Sequence, residues 1–294
     1  MPKLKIDIAP SLQRLNLVVK GLVNTNFIGN YASVFKGQGL EFANFRQYTP
    51  SDDASRIDWK TSSRVRKLMV KEFVEERNLN VVFILDVSSK MLVGSTAKLK
   101  CEYAAELVAS FSHVVLKSGD RVGLLMVNDK ISKELQPSNG MGHFQIISEA
   151  LSNLSFYGGN SNLEEGLDYA LKRIDRGSLV IIISDFIGDS DYHNSLKLAG
   201  KKFDLIGMSI QDPTDLELPE GMGQVLVQDP VTEERMLIDP KKIGNLYSSE
   251  AKHINSSVEK LFRQSGGDFL SLKTNKPFIE SLVMFFKMRE AKWK

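Results

Sequence analysis

Val81-Val82-Phe83-Ile84-Leu85-Asp86-Val87-Ser88-Ser89-Lys90-Met91 is the stretch from which the rest of the chain can be read. Its apolar run shows no alternation of apolar and polar residues, so it reads as a strand buried on both faces rather than one with a wet side. The run stops at a carboxylate, followed two residues later by a hydroxyl. In an open parallel sheet, ligands bind outside the carboxyl ends of the strands, which puts Asp86 and Ser88 at a ligand edge. Hard oxygen donors at such an edge suit Mg²⁺ or Mn²⁺.

Outward from this strand, the chain alternates between two periodicities. Leu99, Tyr103, Leu107, Phe111 and Val114 recur at helical spacing, and Gly119-Asp120 then introduces a strand over residues 121–127 that can turn back through residues 131–135. A helical pattern over residues 144–154 leads to Tyr157-Gly158-Gly159, and another covers 163–174. Ser178-Leu179-Val180-Ile181-Ile182-Ile183-Ser184-Asp185 repeats the opening theme, an apolar strand ending in an aspartate. A helix near 192–198 and a strand over 203–210 complete an alternation that predicts an α/β fold: a doubly wound, mostly parallel sheet with helices on both faces. Residues 224–228 and 235–238, around Asp229-Pro230, predict an edge hairpin. Helices over 241–264 and 277–292 flank a short strand at 269–272. Phe278, Leu282, Phe285 and Phe286 give the last helix an apolar face that the sheet can cover; Lys287, Arg289, Lys292 and Lys294 leave a membrane-surface helix as the other reading. Before residue 79 the pattern is different. Residues 1–78 form an N-terminal segment with few regular signals beyond a helix over 12–23, and residues 79–294 form the α/β domain.

Composition narrows the classes. A chain of 294 residues with 42% hydrophobic content and a net charge of +2 is an ordinary globular protein of one large or two modest domains, and its basic excess is too small to imply nucleic acid. Cys101 is the sole cysteine, which excludes an intramolecular disulfide and fits a reducing compartment. Met1 to Asp7 lacks the apolar core of a signal peptide, and no window approaches the ~20 apolar residues of a membrane span. The expected location is cytoplasmic.

If the sheet is built as read, three chain positions converge: the loop with Asp86 and Ser88, the turn with Asn160, Ser161 and Asn162, and the loop after Asp185. No histidine or cysteine stands nearby in sequence, which argues against zinc. Mg²⁺ usually keeps several waters, so a site with few protein ligands can accept an acidic group from a partner. Such a site binds rather than hydrolyses. A metal-dependent phosphohydrolase of the haloacid-dehalogenase type is the alternative, since it also places an aspartate after its first strand. That chemistry needs a second acid two residues on, and Ser88 occupies the position.

Asp86-Val87-Ser88-Ser89-Lys90, the hydroxyl after Gly158-Gly159 and Asp185 together resemble the metal-ion-dependent adhesion site of von Willebrand factor A domains. Glu41-Phe42, Arg46-Gln47-Tyr48-Thr49-Pro50-Ser51-Asp52-Asp53 and Arg56-Ile57-Asp58-Trp59 resemble the signature of the domain-of-unknown-function 58 family. The resemblance implies a von Willebrand A-like fold, a metal site formed by Asp86, Ser88, Ser161 and Asp185, and a non-enzymatic interaction module. It also implies a MoxR-type AAA+ ATPase as partner, with a client protein to be assembled, activated or loaded with metal. Two positions depart from the adhesion pattern Asp-x-Ser-x-Ser and its second motif: Lys90 stands at the third conserved position, and Ser161-Asn162 replaces a threonine and a neighbouring aspartate. Both changes make the site less negative. The upstream cluster of Arg46, Asp52, Asp53, Arg56, Asp58 and Trp59 is either a docking epitope or an ion-paired clamp fastening the N-terminal segment, and charged groups beside aromatic rings favour the clamp.

Overall fold

The computed structural model describes residues 40–49, 52–75, 79–188, 192–219, 221 and 223–293; the helix expected over residues 12–23 lies outside them. The described residues form two compact units that divide between Leu79 and Asn80.

In the first unit, strand β1 (Leu40–Gln47) pairs antiparallel with β2 (Met69–Glu75). A 3-10 turn (Ala54–Arg56) and helix α1 (Trp59–Val65) lie between them in sequence. Two aspartates start these elements: the Asp53 carboxylate accepts from the Ser55 N–H at 2.9 Å, and the Asp58 carboxylate accepts from the Thr61 N–H at 2.7 Å. Each satisfies a backbone donor that the first turn of a helix leaves open. The pairing register slips between Phe42 and Asn44, which breaks the period-2 pattern and hides the strand in the sequence.

The second unit contains β3 (Asn80–Asp86), α2 (Lys100–Lys117), β4 (Arg121–Val127), β5 (Ile131–Ser138), α3 (Met141–Ser152), α4 (Leu163–Arg173), β6 (Leu179–Ser184), α5 (His193–Lys202), β7 (Asp204–Gln211) and α6 (Pro213–Leu216). Then follow β8 (Val225–Gln228), β9 (Arg235–Ile238), α7 (Pro240–Gln264), β10 (Asp268–Lys273) and α8 (Phe278–Trp293). The main sheet has six strands in the order β10-β7-β6-β3-β4-β5, parallel throughout except for the antiparallel edge strand β5. This is the doubly wound, mostly parallel arrangement expected from the alternation, and it agrees with the von Willebrand A-like fold that the resemblance implies. The hairpin β8–β9 is correctly placed in sequence but forms a separate ribbon, since β10 and β5 occupy the edges of the main sheet.

Alternation along β3 splits the core in two. Val82 and Ile84 join Leu167 of α4, Leu196 of α5 and Phe262 of α7 on one face. On the other, the Phe83 ring meets Phe111 of α2 with centroids 5.6 Å apart, and Phe111 meets Phe286 of α8 at 5.5 Å. Fully burying each such side chain contributes roughly 1.5–3 kcal/mol. Phe278, Leu282, Phe285 and Phe286 are all buried, so the apolar face of α8 is covered by the domain rather than left for a membrane surface. Arg289 fixes the far end of α8 by pairing with Asp204 at 2.5 Å and Asp268 at 3.0 Å, at the starts of β7 and β10. Among the described residues no helix is long and apolar enough to cross a membrane.

Close helix packing makes one glycine obligatory. A Cβ at Gly200 of α5 would run into the backbone oxygen of Ser265 at the end of α7, an atom that cannot swing away. Gly244, inside α7, has nothing within 4 Å of its Cβ position. Gly200→Ala should therefore destabilise by at least the ~1–3 kcal/mol typical of overpacking, whereas Gly244→Ala should stabilise by roughly 0.4–1 kcal/mol. Urea unfolding of both variants checks the pair; equal effects would contradict the packing described.

Candidate functional site

The crossover from β3 leads outward to β4, while β6 lies on the other flank of β3. Neighbouring parallel strands whose connections leave in opposite directions open a crevice at their carboxyl ends. Asp86 ends β3 there, and Ser184 and Asp185 end β6.

Asp86 is 1% exposed. One carboxylate oxygen accepts from the Ser88 N–H at 2.9 Å; the other accepts from the Ser184 hydroxyl at 2.7 Å and the Ser161 hydroxyl at 3.1 Å. Every one of these donors is neutral, and no ion pair joins Asp86 among the described residues. Burial, aided by the like charge of Asp185, pushes its pKa up to about 6 against the opposing pull of Ser184 and Ser88. The Ser88 hydroxyl is buried and closes no hydrogen bond of ordinary geometry, though it lies close enough to favour the ionised carboxylate.

Asp185 stands in a different electrostatic setting. Its carboxylate accepts from the Lys100 ammonium at 2.7 Å and from the Ile187 N–H at 3.0 Å. Lys100 is itself 3% exposed and reaches Asp215 at 3.2 Å. Burial alone would lower the pKa of Lys100, but the two carboxylates outweigh it and raise it, keeping the ammonium charged. Lys90 donates to the Ile187 carbonyl at 2.7 Å, so the residue that departs from the adhesion pattern holds the loop after β6.

Glycine turns bring Ser161 to Asp86. The Gly158 N–H donates to the Val87 carbonyl at 2.7 Å, the Ser89 N–H to the Gly159 carbonyl at 2.9 Å, and the Asn128 side chain to the Gly158 carbonyl at 2.8 Å. Gly158 and Gly159 have φ of +108° and +84°, and a Cβ at Gly159 would collide with the Asp129 carboxylate. Asn162 accepts from the Glu165 N–H at 3.2 Å and so caps α4, which leaves the Ser161 hydroxyl for Asp86.

The structure thus brings Asp86, Ser88, Ser161 and Asp185 to one edge. Three residues of this edge were not singled out from sequence: Ser184, Lys100 and Asp215. Ser184 carried a signal, a hydroxyl just before a strand-end aspartate, whereas Lys100 sits on an ordinary helical pattern. The donor set fits a hard cation: an unpaired buried carboxylate, an orphaned Ser88 hydroxyl and the Ser161 hydroxyl are oxygen ligands of the kind Mg²⁺ and Mn²⁺ prefer. Among the described residues no group of three or more histidine, cysteine, aspartate or glutamate side chains could hold a metal, so such an ion would draw most of its shell from hydroxyls and water.

In the first unit, Arg46 grips Asp52 through two hydrogen bonds of 2.6 Å, and Asp52 also accepts from the Thr49 N–H and hydroxyl. These bonds hold the Asp52 carboxyl well below the usual range. Asp53 and Asp58 cap local elements, as described above. Trp59, the first residue of the helix that Asp58 caps, is 69% exposed. His143 and His113 play packing roles: a His143 ring nitrogen lies 2.8 Å from the Val122 carbonyl, and the His113 ring packs on Phe144.

Strand order and the placement of the carboxylates at the switch point define an α/β domain of von Willebrand A-like fold. The chain belongs to the family described as protein of unknown function DUF58, which it matches over residues 44–255. It is 26% identical over 287 residues to an uncharacterized protein of Mycobacterium tuberculosis, covering 96% of this chain and 90% of that one. Among solved structures it is similar to an aerotolerance-related membrane protein from Bacteroides fragilis (12% identity, TM-score 0.49, 73% of this chain and 99% of that one). Another is a von Willebrand factor type A protein from Catenulispora acidiphila (13% identity, TM-score 0.41, 76% and 44%).

Two predictions concern the buried charges. Because the pKa of Asp86 rises from 3.8 to about 6 on folding, the native state holds its proton more tightly than the unfolded chain. Its contribution is therefore full below pH 4 and is lost as pH rises through 6, a change of about 3 kcal/mol. The stability difference between wild type and Asp86→Asn, measured by urea unfolding from pH 4 to 7.5, should follow that curve and would be flat if Asp86 titrated normally. Lys100→Met strands Asp185 and Asp215 without their cation and should cost roughly 3–5 kcal/mol at pH 7; a loss under 1 kcal/mol would contradict the pairing.

Proposed function

We propose that this protein is a non-enzymatic interaction module whose partner-binding surface is the sheet edge around Asp86, Ser88, Ser161 and Asp185. The observation that carries the reading is the buried Asp86 carboxylate, held by neutral donors alone beside an orphaned hydroxyl. A Mg²⁺ or Mn²⁺ ion bound there would offer a coordination position to an acidic group of the partner. Asp86, Ser88 and Ser161 would hold the ion, and Asp185, already paired with Lys100, would add long-range negative charge. The family resemblance supplies the partner: a MoxR-type AAA+ ATPase, with the module presenting a client for assembly, activation or metal insertion.

Chemistry at the same edge supports binding rather than turnover. A serine nucleophile needs a strong base bonded to its hydroxyl; among the described residues the Ser88 hydroxyl has no hydrogen-bond partner, and the hydrogen bonds of the Ser161 and Ser184 hydroxyls run to the Asp86 carboxylate rather than to an imidazole or amine. In the haloacid-dehalogenase alternative, residue 88 would be the general acid and base, a role a serine hydroxyl does not fill near neutral pH.

Metal should raise thermal stability by RT ln(1 + [L]/Kd), about 2.7 kcal/mol at a hundredfold excess over Kd. Asp86→Asn should abolish the rise, and Lys90→Ser should strengthen it by removing a nearby positive charge. Co-purification at matched folded concentration should recover an AAA+ ATPase with wild type and lose it with Asp86→Asn. Melting unchanged by millimolar Mg²⁺ and Mn²⁺ in both wild type and Lys90→Ser would refute the cation, and ATPase capture indifferent to Asp86→Asn would refute the surface.

A further inference from the structure

A cleft of about 140 Å³ opens beside this edge, between the carboxyl ends of β6 and β7 and one stripe of α7. Its walls are apolar: Ile187, Leu216, Ile254, Val258 and Phe269. Tyr247, Glu250 and Ala251 continue the α7 stripe at helical spacing with Ile254 and Val258. Three acidic residues also line it, Asp185, Asp215 and Glu250, while among the described residues no lysine, arginine or histidine does. The Lys100 ammonium compensates only one of the three charges, which it shares between Asp185 and Asp215.

Size and charge together restrict the occupant. Nucleotides and organic cofactors occupy sites of roughly 300–1,000 Å³, so this cleft is too small for them. Its volume of about 140 Å³ is on the scale of one amino-acid side chain. Apolar walls leading to uncompensated carboxylates match a group with an aliphatic stem and a cationic head, the geometry in which lysine and arginine bury their methylenes while the charge stays at a polar end.

We infer that this cleft is a docking pocket for a single basic side chain, lysine or arginine, presented by a partner polypeptide. Charge complementarity selects the cation, and position selects a polypeptide: Asp185 belongs both to the cleft and to the edge that carries Asp86, so a segment lying along the edge delivers a side chain directly into it. Basic anchors in pockets of this kind set the register and selectivity of a docked segment. The inference does not depend on a metal ion.

The test is an amide-resolved NMR titration of the full chain, in buffer containing a chelator, with the peptide acetyl-Gly-Lys-Gly-amide as probe. Saturable shifts should appear at Ile187, Leu216, Ala251 and Ile254. The norleucine peptide, which keeps the stem and lacks the charge, should bind at least about fivefold more weakly, and Glu250→Gln, at an exposed position, should weaken the lysine peptide about two- to fivefold. Ala251→Leu should block binding by filling the cleft, and the chelator keeps this test separate from the cation site. Equal binding of the lysine and norleucine peptides, shifts confined to other surfaces, or saturation by free n-butylamine as tight as by the peptide would each overturn the inference.

Discussion

A carboxylate buried at the end of a core strand, with only neutral donors around it, is the constraint on which this structure turns. Asp86 cannot be removed to solvent without breaking β3, because every residue from Val81 to Ser88 is buried. Nor does an ion pair neutralise it in place among the described residues: Lys100 is committed to Asp185 and Asp215, and Lys90 donates to the Ile187 carbonyl. Burial of an ionised carboxyl is costly unless a proton or a cation joins it. The surrounding loops keep that choice open. Ser184 and Ser161 contribute hydroxyls and Ser88 its backbone N–H, which partly satisfy the charge and leave the Ser88 hydroxyl unused.

The same constraint orders the connections. Gly158 and Gly159 adopt a backbone that other residues strain to reach, and their hydrogen bonds to Val87 and Ser89 pin the turn carrying Ser161 onto the loop carrying Ser88. Lys90 ties that loop to the one after β6 through the Ile187 carbonyl. Asp212, at the end of β7, accepts from the Ser95 N–H and hydroxyl and from the Thr274 hydroxyl, joining the same β3–α2 connection to the loops after β7 and β10. These polar ties stand where crossovers would otherwise be loose. The edge is therefore held in shape by hydrogen bonds between its loops.

The sheet was legible because its strands announce themselves. Residues 81–85 and 179–183 are continuous apolar runs too short for helices, and the helical spacing between them left little choice but a parallel, doubly wound fold. Legibility failed where tertiary contact replaced periodicity. The helical spacing from Leu99 onward does not show what precedes it: α2 begins at Lys100, and Ser95 just before it is drawn to Asp212, 117 residues away in sequence. β1 and β2 were missed because a register irregularity interrupts their alternation. At the site, Asp86, Ser88, Ser161 and Asp185 could be named from strand ends and glycine turns, but the Lys100–Asp185–Asp215 cluster could not. It joins a helix, a strand end and a short capped helix, and in the sequence Lys100 and Asp215 each look like a surface charge.

Titrating the Asp86 side-chain carboxyl directly, by carbon-detected NMR of the full chain with and without Mg²⁺, tests this account most closely. A midpoint near pH 6 in the absence of metal, moving to lower pH as Mg²⁺ is added, is the predicted result. A midpoint near 4 that ignores Mg²⁺ would contradict both the uncompensated burial of Asp86 and its proposed role as a cation ligand.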